Sequence, residues 1–360
     1  MKIMVLSQIN YEYFYQRPQQ FIDRLAKKHE IIWIESPSSY PYKTANFLKQ
    51  ILYFVLNKPV KKIGKMKLYK PIGFPMFMKK SFLWFFTKPF AYITFKRVLK
   101  KEKPDVLLVY CPIYGSLLKN IKVPVVYDCV DDFSSFSSTG EHVAKQEQIL
   151  LKKADLTIVP AYSLMDKIKK RTKRIDLVAN GVPFSEFSEF KSEKGNDVIY
   201  VGAIADWIDY DLVFETAKLM PKTKFVFYGD GPVFNKVKSE APKNVKFLGK
   251  IPYFQVKEKI ASSGVCILPF KLNDLTNMAC PIKIFEYFAL GKPVVSTSIQ
   301  EVKTIGKNYV KFADNPKQFK EKIEETLTEK NKEIAYKKFA SKYDWDNLTK
   351  DFEKAIKSVL

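Results

Sequence analysis

The feature that most constrains the fold is the alternation of short β-rich apolar runs with longer helical patterns along the chain. This alternation is typical of parallel sheets with helices on both faces. The pattern breaks once and then restarts, which indicates two similar halves. Strands are predicted in the first half at Ile3–Ser7, Ile31–Glu35, Val106–Tyr110, Val125–Asp128 and Leu156–Pro160, and in the second at Val198–Gly202, Phe225–Tyr228, Val245–Leu248, Val265–Pro269 and Val294–Thr297.

The length of 360 residues, 46% of them hydrophobic, is sufficient for two domains that each have a core. A polar, acidic stretch at residues 185–197 is predicted to link them. The predicted domains are 1–184 and 198–335, and residues 336–360 form a final helical pattern whose aromatic residues need a surface to pack on. Ligands of such sheets bind beyond the carboxyl ends of the strands, which is where we look for chemistry.

The net charge of +23 favours an anionic partner, which charge alone leaves open between nucleic acid, phospholipid and a phosphorylated small molecule. Four cysteines without C-x-x-C spacing argue against a zinc site or a redox motif and favour buried thiols in a reducing compartment. The N-terminal apolar run is too short for a signal peptide, and no run of about 18 apolar residues predicts a bilayer span. We therefore expect a cytoplasmic protein.

The segment PIKIFEYFALGKPVV, residues 281–295, predicts a buried helix that opens at Pro281. Lys283 lies near its N-terminus, where the helix dipole disfavours a cation. Glu286 follows three residues later on the same side. Either the two side chains only neutralise each other, or both face a ligand.

Five segments, taken in their order along the chain, resemble the glycosyltransferases of group 1, the family-4-like type with the GT-B fold. The segments are KADLTIVPAYSL (153–164), NGV (180–182), FYGDGP (227–232), NVKFLG (244–249) and PIKIFEYFALGKPVVST (281–297). The segment QRPQQFIDRLAKKHEIIWIE (16–35) is similar to the start of the teichuronic-acid biosynthesis (TuaH-like) type, and more distantly to the glucuronosyltransferase of xanthan synthesis. The resemblance implies two Rossmann-like domains with parallel sheets facing a cleft. The first would bind the acceptor and the second a nucleotide-sugar donor, with the last helix crossing back to the first domain.

The resemblance also implies a donor site. Lys283, beside the amides that open its helix, would hold the diphosphate, and Glu286 would hold the ribose. The remaining donor-binding candidates are Gly202 near the phosphates, Asp230 in a glycine loop under the nucleoside, Ile251 and Tyr253 at the base, and Ile282. Glycines at turns need no ligand, so a structural role stays open. No metal and no cofactor is expected, because GT-B enzymes generally neutralise the diphosphate with a helix N-terminus and a basic side chain.

Retaining enzymes of the family that the chain resembles carry two glutamates separated by seven residues. Glu286 matches the second, but Met278 stands at the position of the first. The segment GAIADWIDYD also lacks the usual basic residues after the first donor-domain strand. We therefore favour inversion, which needs a base in the acceptor domain. The run VPVVYDCVDDF supplies Asp128, Asp131 and Asp132 at a strand end, where mutual repulsion would raise at least one pKa. Asp131 is our first choice and Asp132 our second; capping or solvent exposure is the alternative.

Three further residue types complete the candidates in the first domain. Gln16 and Arg17 follow the loop YEYFYQRP, so Arg17 is expected to be available to an acceptor phosphate or a donor carboxylate, unless it is an ordinary surface residue. His29 lies in a charged turn and is expected to be solvated. His142 follows the acidic run and could approach the site.

Residues 41–103 contain sixteen Lys and Arg, fourteen aromatic residues and a single acid, Glu102. Lysines interleaved with Trp, Phe and Tyr are suited to an anionic membrane interface. The alternatives are that the rings form the core of the first domain while the lysines face water, or that both bind nucleic acid. Nothing else resembles a nucleic-acid-binding module, so we expect no nucleic acid and predict peripheral association with the inner face of the cell membrane.

Together these observations predict a glycosyltransferase of cell-surface polysaccharide synthesis. It would move a sugar, with inversion, from a UDP-sugar to a lipid-linked saccharide. The alternatives are a UDP-sugar epimerase on the same fold and a non-catalytic sugar-nucleotide-binding membrane partner.

Overall fold

The structure is a computed structural model that describes residues 1–12, 15–37, 51–73, 76–135, 139–193, 195–330 and 332–360. The chain forms two compact units. The first comprises Met1–Pro160, Leu164–Val178 and Thr349–Leu360, and the second comprises Ala161–Ser163 and Ala179–Leu348. The last helix thus supplies its final residues to the first unit.

The first unit is built on an eight-stranded sheet in the order β3-β4-β2-β1-β5-β6-β7-β8. All neighbours pair in parallel except β3 and β4, which are antiparallel. The central strands are buried on both faces, which explains their continuous apolar sequences. The strands are β1 Lys2–Leu6, β2 Glu30–Ile34, β3 Lys61–Ile63, β4 Met66–Tyr69, β5 Val106–Val109, β6 Val125–Asp128, β7 Leu156–Val159 and β8 Ile175–Leu177.

Helices cover the first sheet, and the end of the chain packs among them. The Phe21 and Phe352 rings stack with centroids 4.1 Å apart, and His29 Nε2 lies 3.0 Å from Glu353 Oε1. The expectation that His29 is solvated is therefore wrong, because the last helix buries it. The helices are Arg17–Ala26, Ser81–Glu102, Glu141–Lys153, Tyr162–Ile168 and Trp345–Lys357, with 3-10 turns at Pro112–Leu118, Phe133–Ser135 and Lys169–Arg171.

The second unit is built on a six-stranded sheet, all parallel, in the order β11-β10-β9-β12-β13-β14. Its strands are β9 Val198–Val201, β10 Phe225–Tyr228, β11 Val245–Gly249, β12 Val265–Leu268, β13 Val294–Ser296 and β14 Val310–Phe312. Its helices are Phe184–Ser188, Tyr210–Leu219, Phe234–Glu240, Tyr253–Ala261, Asp274–Asn277, Ile282–Ala289, Gln300–Gly306, Pro316–Thr328 and Glu333–Ala340, followed by a 3-10 turn at Ser341–Tyr343.

All ten strands predicted from the sequence are present, and the α/β class is confirmed. Residues 185–197, predicted to be a linker, lie within the second unit where the structure describes them. Two observations explain why these residues belong to the second unit. Phe187 is fully buried, and the buried Lys292 ammonium group donates to the backbone carbonyl of Glu193 at 2.5 Å.

The basic aromatic segment divides between core and surface. Residues 41–50 and 74–75 of it lie outside the described part. Trp84 and Phe95 are buried on the long helix, so part of the segment is core. The described remainder exposes an apolar group that we call the aromatic surface: Leu52, Val55, Leu56, Phe82, Phe85, Phe86, Phe90, Tyr92 and Ile93. Among the described residues, none of the helices has the length and apolarity to cross a bilayer.

Candidate active site

The first candidate cluster begins where β6 ends, at Asp128. This carboxylate is fully buried and accepts from Arg17 Nε at 3.0 Å and Arg17 Nη2 at 3.0 Å. Burial raises the pKa of Asp128, and the guanidinium opposes that shift. Because the pair is buried and bidentate, it fixes the start of helix Arg17–Ala26 against the end of β6.

Arg17 was expected to be available to an anion, and the structure places it elsewhere. It is only 3% exposed, with its guanidinium 4.8 Å from the Phe21 ring centroid. The expectation is corrected because Asp128, 111 positions away along the chain, already engages its charge. Gln16 is exposed and is the N-cap of this helix, where its backbone amide donates to Gln19 Oε1 at 3.1 Å.

Asp131, the first choice for the base, is half-buried in the loop after β6. Its pKa is raised to about 7 by burial, with further contributions from Asp132 and Glu147 that outweigh Arg17. Within the described part of the chain, its carboxylate makes no hydrogen bond or ion pair. A carboxylate with these properties is suited to general-base catalysis near neutral pH.

Asp132, the second choice, is held by a cation. Lys167 Nζ lies 2.7 Å from its Oδ2 atom, and the Ser135 hydroxyl donates to the same oxygen. The carboxylate of Asp132 is thus already paired with a cation and a hydroxyl group, whereas that of Asp131 has no described partner. The two adjacent acids therefore occupy different electrostatic environments.

Glu147 completes the cluster, and our sequence reasoning missed it. The carboxylate is 7% exposed and accepts from the Tyr127 hydroxyl at 2.7 Å. Burial raises its pKa to about 7, with Asp132 adding to the shift. Helical spacing could have revealed it, because the buried Val143 and Leu150 lie four residues before and three after it. An acid on the apolar face of a helix is a candidate functional residue.

His142, on helix Glu141–Lys153, contacts the segment that precedes helix Ser81–Glu102, the helix that carries six of the nine residues of the aromatic surface. Its Nε2 atom lies 2.8 Å from the Phe77 carbonyl oxygen. The Gly140 amide donates to the Met78 carbonyl at 2.9 Å. The segment before helix Ser81–Glu102 is thus anchored beside helix Glu141–Lys153, whose preceding loop contains Asp131. The His142 side chain therefore contacts a backbone carbonyl group, and its approach to the site stays a prediction.

In the second unit, Lys283 and Glu286 form an ion pair on helix Ile282–Ala289. Lys283 Nζ lies 2.7 Å from Glu286 Oε2, and the side chains are 25% and 5% exposed. The Tyr287 hydroxyl accepts from the Val201 amide at 3.1 Å, which attaches this helix to the last residue of β9. The buried carboxylate and its partly exposed lysine therefore lie near the carboxyl edge of the sheet.

Glycines bring neighbouring backbones together at the same edge. The Gly202 amide donates to Tyr228, and the Gly229 amide to Gly249, each at 2.9 Å. Gly229 has φ +147°, and a Cβ atom there would lie 1.7 Å from the Gly202 carbonyl oxygen. Only glycine fits, so the edge presents backbone that a ligand can approach closely. Asp230 closes the loop by accepting from the Gly231 amide at 2.8 Å.

The remaining donor candidates lie around these features. Ile251 and Ile282 are half-buried, and Tyr253 is 47% exposed with its ring centroid 6.2 Å from that of Phe187. Tyr253 opens helix Tyr253–Ala261 shortly after β11. An exposed ring in this position could stack on a planar base.

The sequence also led to predictions about the cysteines and the groups that could hold a metal ion. All four cysteines are free and buried, as the absence of paired spacing indicated. Within the part of the chain that the structure describes, no group of three or more His, Cys, Asp or Glu side chains is arranged to hold a metal ion. Independence from metals and cofactors stays a prediction.

The two parallel α/β units define a GT-B fold, which solved structures share. The chain matches sucrose-phosphate synthase from Thermosynechococcus elongatus with a TM-score of 0.77 and 12% identity, over 99% of this chain and 98% of that one. It matches Anabaena HepE, solved with UDP and glucose, with a TM-score of 0.70 and 15% identity over 99% and 100%. It matches WaaG, a glycosyltransferase involved in lipopolysaccharide biosynthesis, with a TM-score of 0.66 and 14% identity over 99% of both. The predicted fold class is confirmed.

Sequence comparison adds the family. Residues 182–343 match the glycosyl transferases group 1. Over 263 residues the chain is 25% identical to TuaH of Bacillus subtilis (strain 168), whose name assigns it to the glycosyltransferases of teichuronic acid biosynthesis. That match covers 64% of this chain and 66% of TuaH, just under two thirds of its length. Residues 182–343 therefore resemble the glycosyl transferases group 1, and this similarity agrees with the class of enzyme predicted from the sequence.

Proposed function

We propose that this protein is a glycosyltransferase of cell-surface polysaccharide synthesis that moves a sugar from a UDP-sugar to a lipid-linked saccharide. The observation that carries the proposal is Asp131, a carboxylate without a described partner and with a pKa of about 7 at the carboxyl edge of the first sheet. The group 1 domain and the UDP bound by HepE support the choice of donor.

In the proposed donor site, the Lys283 ammonium group leaves Glu286 and pairs with the diphosphate of the donor. In the structure this ammonium group pairs with Glu286 and is a quarter exposed, so it can turn to a diphosphate without a large desolvation cost. The charge of a departing UDP would then be neutralised by Lys283 together with the helix N-terminus. Glu286, released from the lysine, would accept from the ribose hydroxyl groups.

In the proposed acceptor site, Asp131 takes the proton of the attacking hydroxyl group as the bond to the sugar forms. Inversion follows if that hydroxyl attacks from the face opposite the leaving diphosphate. Met278, buried where a retaining enzyme of this type would carry its first glutamate, supports this choice. The neighbouring Asp132, which is paired with Lys167, contributes to the raised pKa of Asp131.

The aromatic surface would hold the protein at the inner face of an anionic membrane. Phe82, Phe85 and Phe86 are 58%, 72% and 54% exposed, which is costly in water and favourable at the headgroup level. On helix Ser81–Glu102 or just before it lie Lys79, Lys80 and Lys88, whose ammonium groups suit lipid phosphates. Because this helix is anchored next to the loop of Asp131, a membrane-bound acceptor would meet the acidic cluster.

Two rival functions predict different behaviour. A UDP-sugar epimerase would convert the sugar nucleotide alone and would need neither a lipid acceptor nor the aromatic surface. A non-catalytic sugar-nucleotide-binding partner would keep its function when Asp131 is replaced by Asn. A requirement for the lipid acceptor therefore distinguishes a glycosyltransferase from the epimerase. The activity of Asp131→Asn distinguishes it from the non-catalytic partner.

The test combines binding and turnover. A thermal-shift screen of nucleoside diphosphates and UDP-sugars should give a saturable rise in melting temperature for the donor. Donors that bind are then incubated with membrane extracts that contain lipid-linked saccharides, and release of UDP is followed with and without extract. UDP release that depends on the extract supports the proposal. Isomerisation of the donor in buffer alone would favour the epimerase, and no stabilisation by any nucleotide would remove the donor-site assignment.

A further inference from the structure

The first unit has a second polar feature at the edge of its sheet opposite the acidic cluster. An open cleft of about 760 Å³ lies where β1, β2, β4 and β5 begin. Six lysines line it: Lys2, Lys28, Lys62, Lys65, Lys67 and Lys103. The strands run parallel, so the cleft lies at their amino ends while Asp131 follows a carboxyl end. The proposed transfer reaction does not use this cleft.

The acids near the cleft are already engaged by other groups. Glu102 accepts from Lys67 Nζ at 2.7 Å and from the Tyr69 hydroxyl at 2.7 Å. Asp105 accepts from the backbone amide of Lys2 at 2.7 Å. Glu30 lies 3.5 Å from Lys2 Nζ. The lining of the cleft holds six lysines but only two carboxylates, Glu30 and Asp105, so part of its positive charge is uncompensated.

Three lysines carry that excess. Among the described contacts, the ammonium groups of Lys62, Lys65 and Lys103 have no carboxylate or carbonyl partner, and all three side chains are exposed. Lys103 ends helix Ser81–Glu102 with φ 48°, where the negative end of the helix dipole favours a cation. The dipole does not account for Lys62 and Lys65, which come from the β3–β4 hairpin around Gly64.

We propose that this cleft is an anion-binding site for a phosphate-bearing ligand, separate from the donor site. Lysine ammonium groups on flexible stems suit phosphate oxygens, because each is a compact charge with three donors. Three cations that converge on an open cleft repel one another, and a bound multivalent anion removes that repulsion. The ligand is either a free oligophosphate or the headgroup of an anionic lipid, since both present the same oxygens.

The site can be tested by lysine acetylation, read by mass spectrometry, with inorganic triphosphate as the probe at low salt. Lys62, Lys65 and Lys103 should lose reactivity at least threefold as triphosphate saturates. Exposed lysines of the second unit, Lys222, Lys236 and Lys243, serve as internal controls and should change little. The same protection should appear in Lys283→Ala, so the result stands apart from the donor-site assignment.

A charge-matched pair of variants gives the second arm. The triple variant Lys62→Gln, Lys65→Gln, Lys103→Gln is compared with Lys222→Gln, Lys236→Gln, Lys243→Gln for binding to triphosphate and to phosphatidylglycerol vesicles. Selective loss of triphosphate binding in the first variant supports a free anion, and selective loss of vesicle binding alone supports a lipid headgroup. Equal binding by both variants in both assays, or equal protection of all six lysines, would overturn the proposal.

Discussion

Lys283 Nζ lies 2.7 Å from Glu286 Oε2, so the cation that was unexpected at a helix N-terminus is neutralised by the buried acid one turn later. An ion pair that served only to neutralise the lysine would explain the local charge balance. It does not explain why the pair lies beside glycines that expose backbone at the end of β9. A ligand at this edge would compete with Glu286 for the lysine, and that competition can be measured.

We expect Lys283→Ala to weaken UDP binding at least tenfold, about 1.4 kcal/mol, because the leaving diphosphate loses its cation. Isothermal titration with UDP measures the change. The matched control is Lys218→Ala, which removes the lysine of an exposed pair with Glu215 at the same spacing in the same unit. Equal affinities for the two variants would contradict the role of Lys283.

Asp131→Asn should lower the turnover number by roughly 10²- to 10⁴-fold while UDP affinity stays unchanged, because Asn cannot accept the acceptor's proton. In the unmodified protein, kcat/KM should fall about tenfold per pH unit below pH 7, since a base with a pKa of about 7 must be deprotonated to act. Asp166→Asn, an exposed acid of the same unit, is the control. A flat pH profile, or a fully active Asp131→Asn variant, would exclude this base.

The sequence predicted the parts of the fold that depend on continuous apolar runs. Strands such as Val106–Val109 are buried on both faces, so their composition alone marks them. The strands Lys61–Ile63 and Val310–Phe312 were not predicted. Each is an edge strand of only three residues that include lysine, so neither forms a continuous apolar run. A short edge strand takes its structure from hydrogen bonds to its neighbour, which composition does not display.

The candidate site was predictable to a similar extent. Asp131 and Asp132 could be located because they directly follow a predicted strand. The Arg17–Asp128 pair could not, since it joins residues 111 positions apart and no local pattern encodes such a contact. Glu147 lies between these cases, because the helical spacing of its buried neighbours was readable but its proximity to the acids depends on tertiary packing.

Glu147 should make stability depend on pH. Its pKa of about 7 in the folded protein lies above the unfolded value, so the folded state binds the proton more tightly. The corresponding stabilisation is present below the unfolded pKa and is lost as pH rises towards 7, by about 3 kcal/mol. Urea denaturation at pH 5 and pH 8 should show this loss, and Glu147→Gln should reduce it.

The same variant should also affect the base. Removing the negative charge of Glu147 lowers the pKa of Asp131, so the acid limb of the kcat/KM profile should move to lower pH. Glu141→Gln, at the exposed start of the same helix, is the control. If the pH profile of Glu147→Gln matches that of the unmodified protein, Glu147 does not influence Asp131.

Replacing Phe82, Phe85 and Phe86 by Ser should reduce binding to anionic vesicles at least tenfold, because burial of each ring contributes on the order of 1 kcal/mol or more. Sedimentation with vesicles across a salt series measures this. Leu248, Phe254 and Ile334 of the second unit are 55%, 70% and 86% exposed, and their triple Ser variant is the matched control. Binding that is indifferent to lipid charge, to salt and to the phenylalanines would exclude the proposed membrane contact.

Arg17→Ala should lower the free energy of unfolding by about 3–5 kcal/mol, because Asp128 would remain buried without its partner. Arg174→Ala is the control, since it breaks an exposed pair with Asp176 at the same 3.0 Å distance and should cost at most about 1 kcal/mol. Chemical denaturation separates the two. Arg17→Ala combined with Asp128→Asn should recover part of the loss, because the second change removes the unpaired charge. If Arg17→Ala is as stable as the control and only weakens acceptor binding, Arg17 serves the acceptor as the sequence suggested, and the buried ion pair contributes little to folding.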